Sequence, residues 1–290
     1  MPASGFVLSH IPGKRIRHCA ITAPNPLSVH VVSGTVLTVV LQPVAVLLNS
    51  SPALPTMHSP TVHTMHWENI PTNILDKQKA VFAHLNIPLQ QHLADKTPHG
   101  SWMVKILEQA HSDDIIVICD IDAFPLTRTA YEDAVAHAQA GKLYGLAQFS
   151  NHKPGNQIYA GPMFMAFRKR LWESLGAPDL RSSKLYDAAE IMSALARQHH
   201  IELVMVPPTT CLMPKWALGH EGVFGIGTFY GQNQFFHLFE SRNPAYEAIL
   251  DAVADDVTQC HPLDFAGYLA LCQQLQGTSK PAKKKWWKWL

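Results

Sequence analysis

From residue 61 onward, apolar residues recur in two alternating rhythms: short continuous runs, and stretches in which they fall three and four apart. The first rhythm is that of a strand buried on both faces, the second that of a helix with one apolar stripe. Thr61–Trp67 reads as a strand. Residues 73–85 place Ile74, Leu75, Val81, Phe82 and Leu85 on one helical face, and Asn86-Ile87-Pro88 ends that helix. A second helix over residues 101–110 turns Trp102, Met103, Ile106, Leu107 and Ala110 inward. Ile115-Ile116-Val117-Ile118-Cys119 is apolar throughout, which predicts a central strand covered on both sides. Further on, the pattern predicts helices over 130–140, 168–175, 184–199, 244–257 and 262–276. It predicts strands over 143–149, 158–167, 201–206 and 235–239. Gly222, Gly225, Gly227 and Gly231 predict a flexible loop before that last strand, able to act as a lid. Such alternation is the signature of an α/β domain.

The first 56 residues follow neither rhythm. Pro, Ser, Thr and Val dominate them and acidic residues are absent. Val31–Leu48 follows Lys14, Arg15 and Arg17, an order resembling a signal anchor, although its β-branched content suits a strand or an upstream extension equally well. Met57 and Met65 are alternative starts. The expected organisation is therefore an atypical extension over 1–60, an α/β domain over 61–242, packing helices over 243–278 and a basic tail over 279–290. Across the chain, 23 Lys and Arg against 22 Asp and Glu leave a net charge of +1, which gives no global attraction to nucleic acid. Five cysteines form no CxxC pair, so neither a disulfide framework nor a zinc finger is signalled, and a reducing, cytoplasmic setting fits. The tail Lys283–Leu290 joins four lysines to three tryptophans, a combination suited to weak, reversible contact with anionic lipid headgroups, an acidic partner or plain solvent.

The strongest chemical signal is Asp120-Ile121-Asp122, directly after the buried run. In extended chain the two carboxylates would point the same way, and their mutual repulsion calls for a proton or a hard divalent cation. The carboxyl edge of an open α/β sheet is also where ligands bind by general rule. A pair of solvated aspartates at a strand end is the plainer alternative.

The stretch from His99 through Lys105 to Pro125 resembles the centre of the GT-A-fold nucleotide-sugar glycosyltransferases, with Asp120 and Asp122 at the acidic positions of their DxD motif. The likeness continues through Tyr159–Phe164, including Gly161, and through Tyr186–Glu190. It implies a Rossmann-like, mixed but mostly parallel central sheet flanked by helices. It further implies a nucleoside-diphosphate-sugar donor and a Mn2+ or Mg2+ ion on Asp120 and Asp122 that bridges the leaving diphosphate. By the same resemblance Lys105 faces the donor, Gly161 lines the sugar, and Thr64, His66 and Trp67 hold the nucleoside, though a strand-end Trp is also ordinary core or rim. His237 corresponds to a third metal ligand that some branches carry on a late strand; a hydrogen-bonded core histidine is the alternative. An imidazole beside two carboxylates would favour manganese.

Transfer with inversion needs a carboxylate to take the acceptor's proton. Asp187 and Glu190 stand three apart on a predicted helix, hence on one face, and either would serve; as acids in a first helical turn they also suit the dipole without any catalysis. The acceptor, whether glycan, lipid, protein or nucleic acid, is not written in the sequence. A haloacid-dehalogenase-type phosphatase would use Asp120 as nucleophile in the same DxD pattern, but Phe124 stands where that family keeps Thr or Val, and a long periodic stretch precedes the motif. A nucleotidyltransferase should carry a glycine-rich basic loop after its first strand, and Glu68-Asn69-Ile70-Pro71 is neither. A non-catalytic binding module on the same fold would lack either the base or the metal ligands.

Overall fold

The computed structural model describes residues 59–154 and 157–278; the expected extension up to residue 58, the Val31–Leu48 segment and the basic tail lie outside the described residues. The chain runs β1 (Val62–His66), α1 (Thr72–His84), β2 (Leu89–Leu93), α2 (His99–Gln109), β3 (Ile115–Cys119), β4 (Ala123–Pro125) and α3 (Arg128–Gln139). It continues through β5 (Leu143–Phe149), β6 (Ile158–Arg168), α4 (Lys169–Ser174), α5 (Glu190–Gln198), β7 (Leu203–Val206), β8 (Pro208–Ala217), β9 (Val223–Tyr230) and β10 (Phe235–His237). A short 3-10 turn at Pro244–Tyr246 then leads into α6 (Glu247–Thr258) and α7 (Phe265–Thr278).

Among the described residues, six strands form one sheet in the order β2-β1-β3-β6-β5-β7, and four form a second in the order β4-β10-β9-β8. In the larger sheet β1 pairs in parallel with β2 and β3, and β5 with β7, while β6 runs antiparallel to both β3 and β5. The fold is therefore the expected mixed α/β class, with a mostly parallel central sheet flanked by helices. Its spine behaves as its pattern requires. Val117 and Cys119 of β3 enter the core on one side, and Ile116 and Ile118 the core on the other. Each such aliphatic side chain contributes roughly 1.5–3 kcal/mol when fully removed from water.

Three departures from the sequence reading have clear causes. β2, Leu-Gln-Gln-His-Leu, has no apolar run because among the described residues it is an edge strand paired only to β1, where a polar pattern is tolerated and discourages further pairing. The glycines at 222–231 form no lid: they punctuate β9, a central strand of the second sheet between β8 and β10. A Cβ on Gly225 would stand 2.3 Å from the Met213 carbonyl oxygen, so glycine is what lets β8 approach there. The helix expected over 184–199 begins only at Glu190, because the Ser183 hydroxyl accepts the Leu185 and Tyr186 N–H groups and the Glu190 carboxylate accepts the Asp187 N–H, which holds residues 183–187 in turns.

At the C-terminal end, α6 buries Ile249, Leu250, Val253 and Val257. It is stitched to α1 by Asn73 donating to Asp251 at 2.7 Å and by Lys77 to Asp255 at 2.5 Å. No helix among the described residues is long and apolar enough to cross a membrane.

His63 on β1 and His92 on β2 share a ring-to-ring contact, Nδ1 to Nε2, of 3.1 Å. Burial, followed by the neighbouring His92 charge, pushes His63 down to about 4 from its ordinary value of 6.5. The folded protein thus keeps His63 neutral where the unfolded chain takes up a proton, so stability is full above pH 6.5 and falls as pH drops toward about 4. Replacing His63 by Gln is expected to flatten the decline in Tm across that window. An unchanged slope in thermal melts would assign the acid sensitivity elsewhere.

Candidate metal and catalytic site

β3 ends at Cys119 and the chain turns at once. The Asp120 N–H donates to the Met163 carbonyl at 3.1 Å, which ties the residue to β6, and the Ala123 N–H returns to the Asp120 carbonyl at 3.1 Å. The two carboxylates therefore converge through a tight turn and not through strand alternation, which corrects the geometry read from the sequence. Ile121 points into the core, 7% exposed. The buried amide of Gln78, on α1, donates to the carbonyls of Asp120 at 2.8 Å and Ala123 at 3.0 Å and so fixes both ends of the turn. On the far side the Leu238 N–H donates to the Asp122 carbonyl at 2.9 Å.

That last bond brings β10 alongside, with His237 in register with Ala123. His237 Nε2 lies 3.3 Å from Asp122 Oδ1 and 3.8 Å from Asp120 Oδ2. One ligand atom from each of the three residues falls within 4.8 Å of the other two, a DxD-like donor set of two carboxylates and an imidazole. Burial raises the Asp120 carboxyl, and the charges of Asp122 and Asp187 add to this while His99 and His237 work against it. For Asp122 burial acts in the same direction but loses to the hydrogen bond and charge of His237 and to a hydrogen bond from Ser241, which together hold it below its ordinary value. Among the described residues His237 Nδ1 is buried without a hydrogen-bond partner, and so is His99 Nε2, 3.6 Å from Asp120 Oδ1. Crowded acids of unequal proton affinity, faced by imidazoles with hydrogen-bonding capacity to spare, suit a divalent cation of the manganese or magnesium kind.

The cluster lines a cavity of about 650 Å³ at the carboxyl edge of β1 and β3, walled by His66, Trp67, His99, Gln148 and Arg242 among others. That volume suits a small-molecule or cofactor ligand. His66 and Trp67 are both on this wall. The Trp67 indole N–H donates to the Thr97 carbonyl at 3.0 Å, and the Arg242 guanidinium lies 4.8 Å above the ring. Thr64 is not on the wall; its hydroxyl is buried in the core, without a partner among the described residues. Gly161 touches the site indirectly, since a Cβ there would stand 2.7 Å from Met163 Sδ and 2.8 Å from the Gln148 amide oxygen. Lys105 is not at the cavity at all. It is exposed on the outer face of α2, beside Trp102 and His92, because the buried Trp102, Met103, Ile106 and Leu107 define the opposite face. The cation on the wall is Arg242, just ahead of a helix-starting Asn243-Pro244 and without any periodic signal to mark it. His99, Gln78 and Ser241 also escaped sequence reasoning; of these only Gln78 left a trace, as a polar residue in the apolar stripe Ile74, Gln78, Val81, Phe82.

Asp187 and Glu190 do not share a helical face, since Asp187 precedes α5. Neither lines the cavity, although the charge of Asp187 reaches Asp120. Glu190 is 3% exposed, and one of its carboxylate oxygens accepts both the Ser150 hydroxyl and, at 2.7 Å, the Asp187 N–H. It anchors the turn. Asp187 keeps Oδ2 free of backbone bonds, facing His152 Nε2 at 4.0 Å. Glu190→Ala leaves two donors unpaired and is expected to lower stability by about 1–3 kcal/mol in denaturant unfolding. A variant as stable as the parent would remove this anchoring role.

The fold and its site together define a mixed α/β protein with a DxD-like ligand group at the carboxyl edge of its sheet. No protein-family model matches the chain, and no curated protein sequence matches it. Among solved structures it is similar to a mannosyltransferase from Pyrobaculum calidifontis in complex with GDP-Man and Mn2+, at 12% identity and a TM-score of 0.40, over 77% of this chain and 71% of that one. It is also similar to the catalytic domain of Drosophila beta1,4-galactosyltransferase 7, at 10% identity and a TM-score of 0.35, over 61% of this chain and 70% of that one. A third is the 4-diphosphocytidyl-2C-methyl-D-erythritol synthase of Anaerococcus prevotii, at 10% identity and a TM-score of 0.31, over 51% of this chain and 89% of that one.

Proposed function

We propose that this protein is a glycosyltransferase that moves a sugar from a nucleoside-diphosphate donor to an acceptor, with Mn2+ or Mg2+ held by Asp120, Asp122 and His237. The observation that carries the reading is that donor set, within 4.8 Å, on the wall of a 650 Å³ cavity whose rim bears Arg242. A cation bound there would supply charge neutralisation for a departing diphosphate. Every other part belongs to the chain. Arg242 and His99 present N–H donors where negative charge gathers as the glycosidic bond breaks, which lowers the barrier to the extent that they bind the leaving group more tightly than the intact donor. Trp67 and His66 form the wall for the nucleoside. Asp187, which stands off the cavity wall but whose charge reaches Asp120 and whose Oδ2 faces only His152 at 4.0 Å, takes the acceptor's proton, while Glu190 positions it.

Asp187→Asn should then slow transfer by about 10²–10⁴-fold. The decisive assay incubates the protein with a panel of nucleoside-diphosphate sugars and Mn2+ and identifies the phosphate product. Release of nucleoside diphosphate supports glycosyl transfer. Release of pyrophosphate from a nucleoside triphosphate would replace it with nucleotidyl transfer, and metal-dependent release of phosphate from a phosphomonoester would favour the phosphatase chemistry of an Asp120 nucleophile.

A further inference from the structure

The lysines and tryptophans of the C-terminal tail follow directly on α7, and α7 differs from the helices before it. Among the described α-helices it alone carries no charged residue, over 14 positions. One stripe of it packs inward. Phe265 and Tyr268 meet Phe229 at ring-centroid distances of 4.9 and 5.9 Å, and Cys272 is buried. A neighbouring stripe, Ala266, Leu269, Ala270 and Gln273, is exposed, with Leu269 at 46%. A surface helix ordinarily sets charged and polar groups on its outer stripe, where they keep their hydration. Here the outer stripe is apolar except for one amide.

The charge around this helix is one-sided. Beyond Asp264 the sequence holds none of the chain's 22 acidic residues, yet residues 279–290 hold five of its 23 Lys and Arg and three of its seven Trp. The whole chain is near neutral at +1, so positive charge is concentrated in this stretch and not spread along the sequence. β8, against which α7 packs, adds Lys215 and no acid. The acids just ahead of α7 already have partners. The Asp264 carboxylate accepts the Gly267 N–H at 2.9 Å, and Asp256 accepts the Tyr268 hydroxyl at 2.5 Å. Asp251 and Asp255 of α6 face α1, where they accept from Asn73 and Lys77. Those four carboxylates therefore have partners other than the tail's lysines.

We propose that the outer stripe of α7 and the lysines and tryptophans of residues 279–290 form one docking surface for an anionic lipid bilayer. Lysine charge alone would suit any polyanion. What selects a bilayer is its combination with three indoles, which are favoured at the level of the headgroups, and with an uncharged helical stripe suited to lie in the interface plane. Each lysine near an anionic membrane strengthens attachment about fivefold, and the apolar stripe supplies the second signal that stable anchoring requires. This surface shares no residue with the Asp120 cavity and stands or falls independently of the reading of that site.

Vesicle sedimentation with the full chain tests it, using phosphatidylcholine alone and phosphatidylcholine mixed equally with phosphatidylglycerol. Binding to the anionic vesicles is expected to exceed binding to the neutral ones at least about a hundredfold at about 0.1 M NaCl. It should collapse at about 1 M, where the Debye length shrinks from about 10 to about 3 Å. Lipids brominated near the headgroup end of their acyl chains should quench tryptophan emission, and replacing Trp286, Trp287 and Trp289 together by Ser should remove that quenching. Replacing Lys283, Lys284 and Lys285 together by Gln should weaken binding about a hundredfold. Leu269→Glu, at an exposed position that leaves the core intact, should weaken it about tenfold with an unchanged melt. Equal binding to both vesicles, binding to neither, or a Leu269→Glu variant that binds as the parent does would overturn the proposal. Binding to poly-glutamate with none to vesicles would replace it by an acidic protein partner.

Discussion

If the proposed function holds, Asp122→Ala is expected to reduce sugar transfer by at least about a thousandfold, some 4 kcal/mol of transition-state stabilisation, and to leave no dependence on divalent ions. The size follows from the position of the carboxylate. Asp122 is the member of the trio held in its ionised form, by His237 and Ser241, whereas burial raises Asp120. Without Asp122 the remaining carboxylate is the one that burial pushes toward protonation. The fold should persist, because the Asp122 carbonyl still accepts from Leu238 and the turn still closes through Ala123 and Gln78. Manganese titration, donor turnover and thermal melts on the same preparation check all three points. Full turnover by the parent protein in excess chelator would end the metal role outright.

How much of this was legible in the sequence depended on whether the signal was local. β3 could be read because each of its side chains meets a core on one face or the other, so the run is apolar without interruption. The aspartates after it form the DxD-like group that the pattern suggests, yet they converge by a turn and not by strand alternation, since nothing local announces a turn closed by a glutamine some forty residues upstream. β8 and β9 went unrecognised for a related reason. Pro208 and Pro214 sit at irregularities of the β8–β9 register, and Gly225 and Gly227 allow the two strands to touch; the residues that make that pairing feasible are those that usually signal loops. Lys105 was misplaced although the sequence held the answer. The apolar positions 102, 103, 106 and 107 already turn it outward, so helical periodicity and family resemblance disagree at this residue and periodicity prevails. Arg242 could not have been found, because it reaches the site only through the pairing of β10 with β4.

Gln78→Met is the sharper test of how the site is held, because it keeps the side chain's length and removes only its amide. The buried carbonyls of Asp120 and Ala123 lose their amide donor, and the Gln91 amide loses an acceptor at 3.1 Å while keeping the Leu75 carbonyl at 2.9 Å. The Asp120 carbonyl retains the Ala123 N–H, and the Ala123 carbonyl retains the Cys119 thiol at 3.2 Å. Net destabilisation is therefore expected at about 1–3 kcal/mol and not at the sum of two fully orphaned groups. The effect on function should be of a different kind. With all three ligands present but the turn between Asp120 and Ala123 loosened, metal affinity is expected to fall about 10- to 100-fold, as when a group that orients a ligand is removed. Saturating Mn2+ should then restore most of the turnover in Gln78→Met and none of it in Asp122→Ala. A melt shifted downward together with an unmoved manganese curve would mean that Gln78 supports the core alone, and that β3 and β10 hold the carboxylates in place without it.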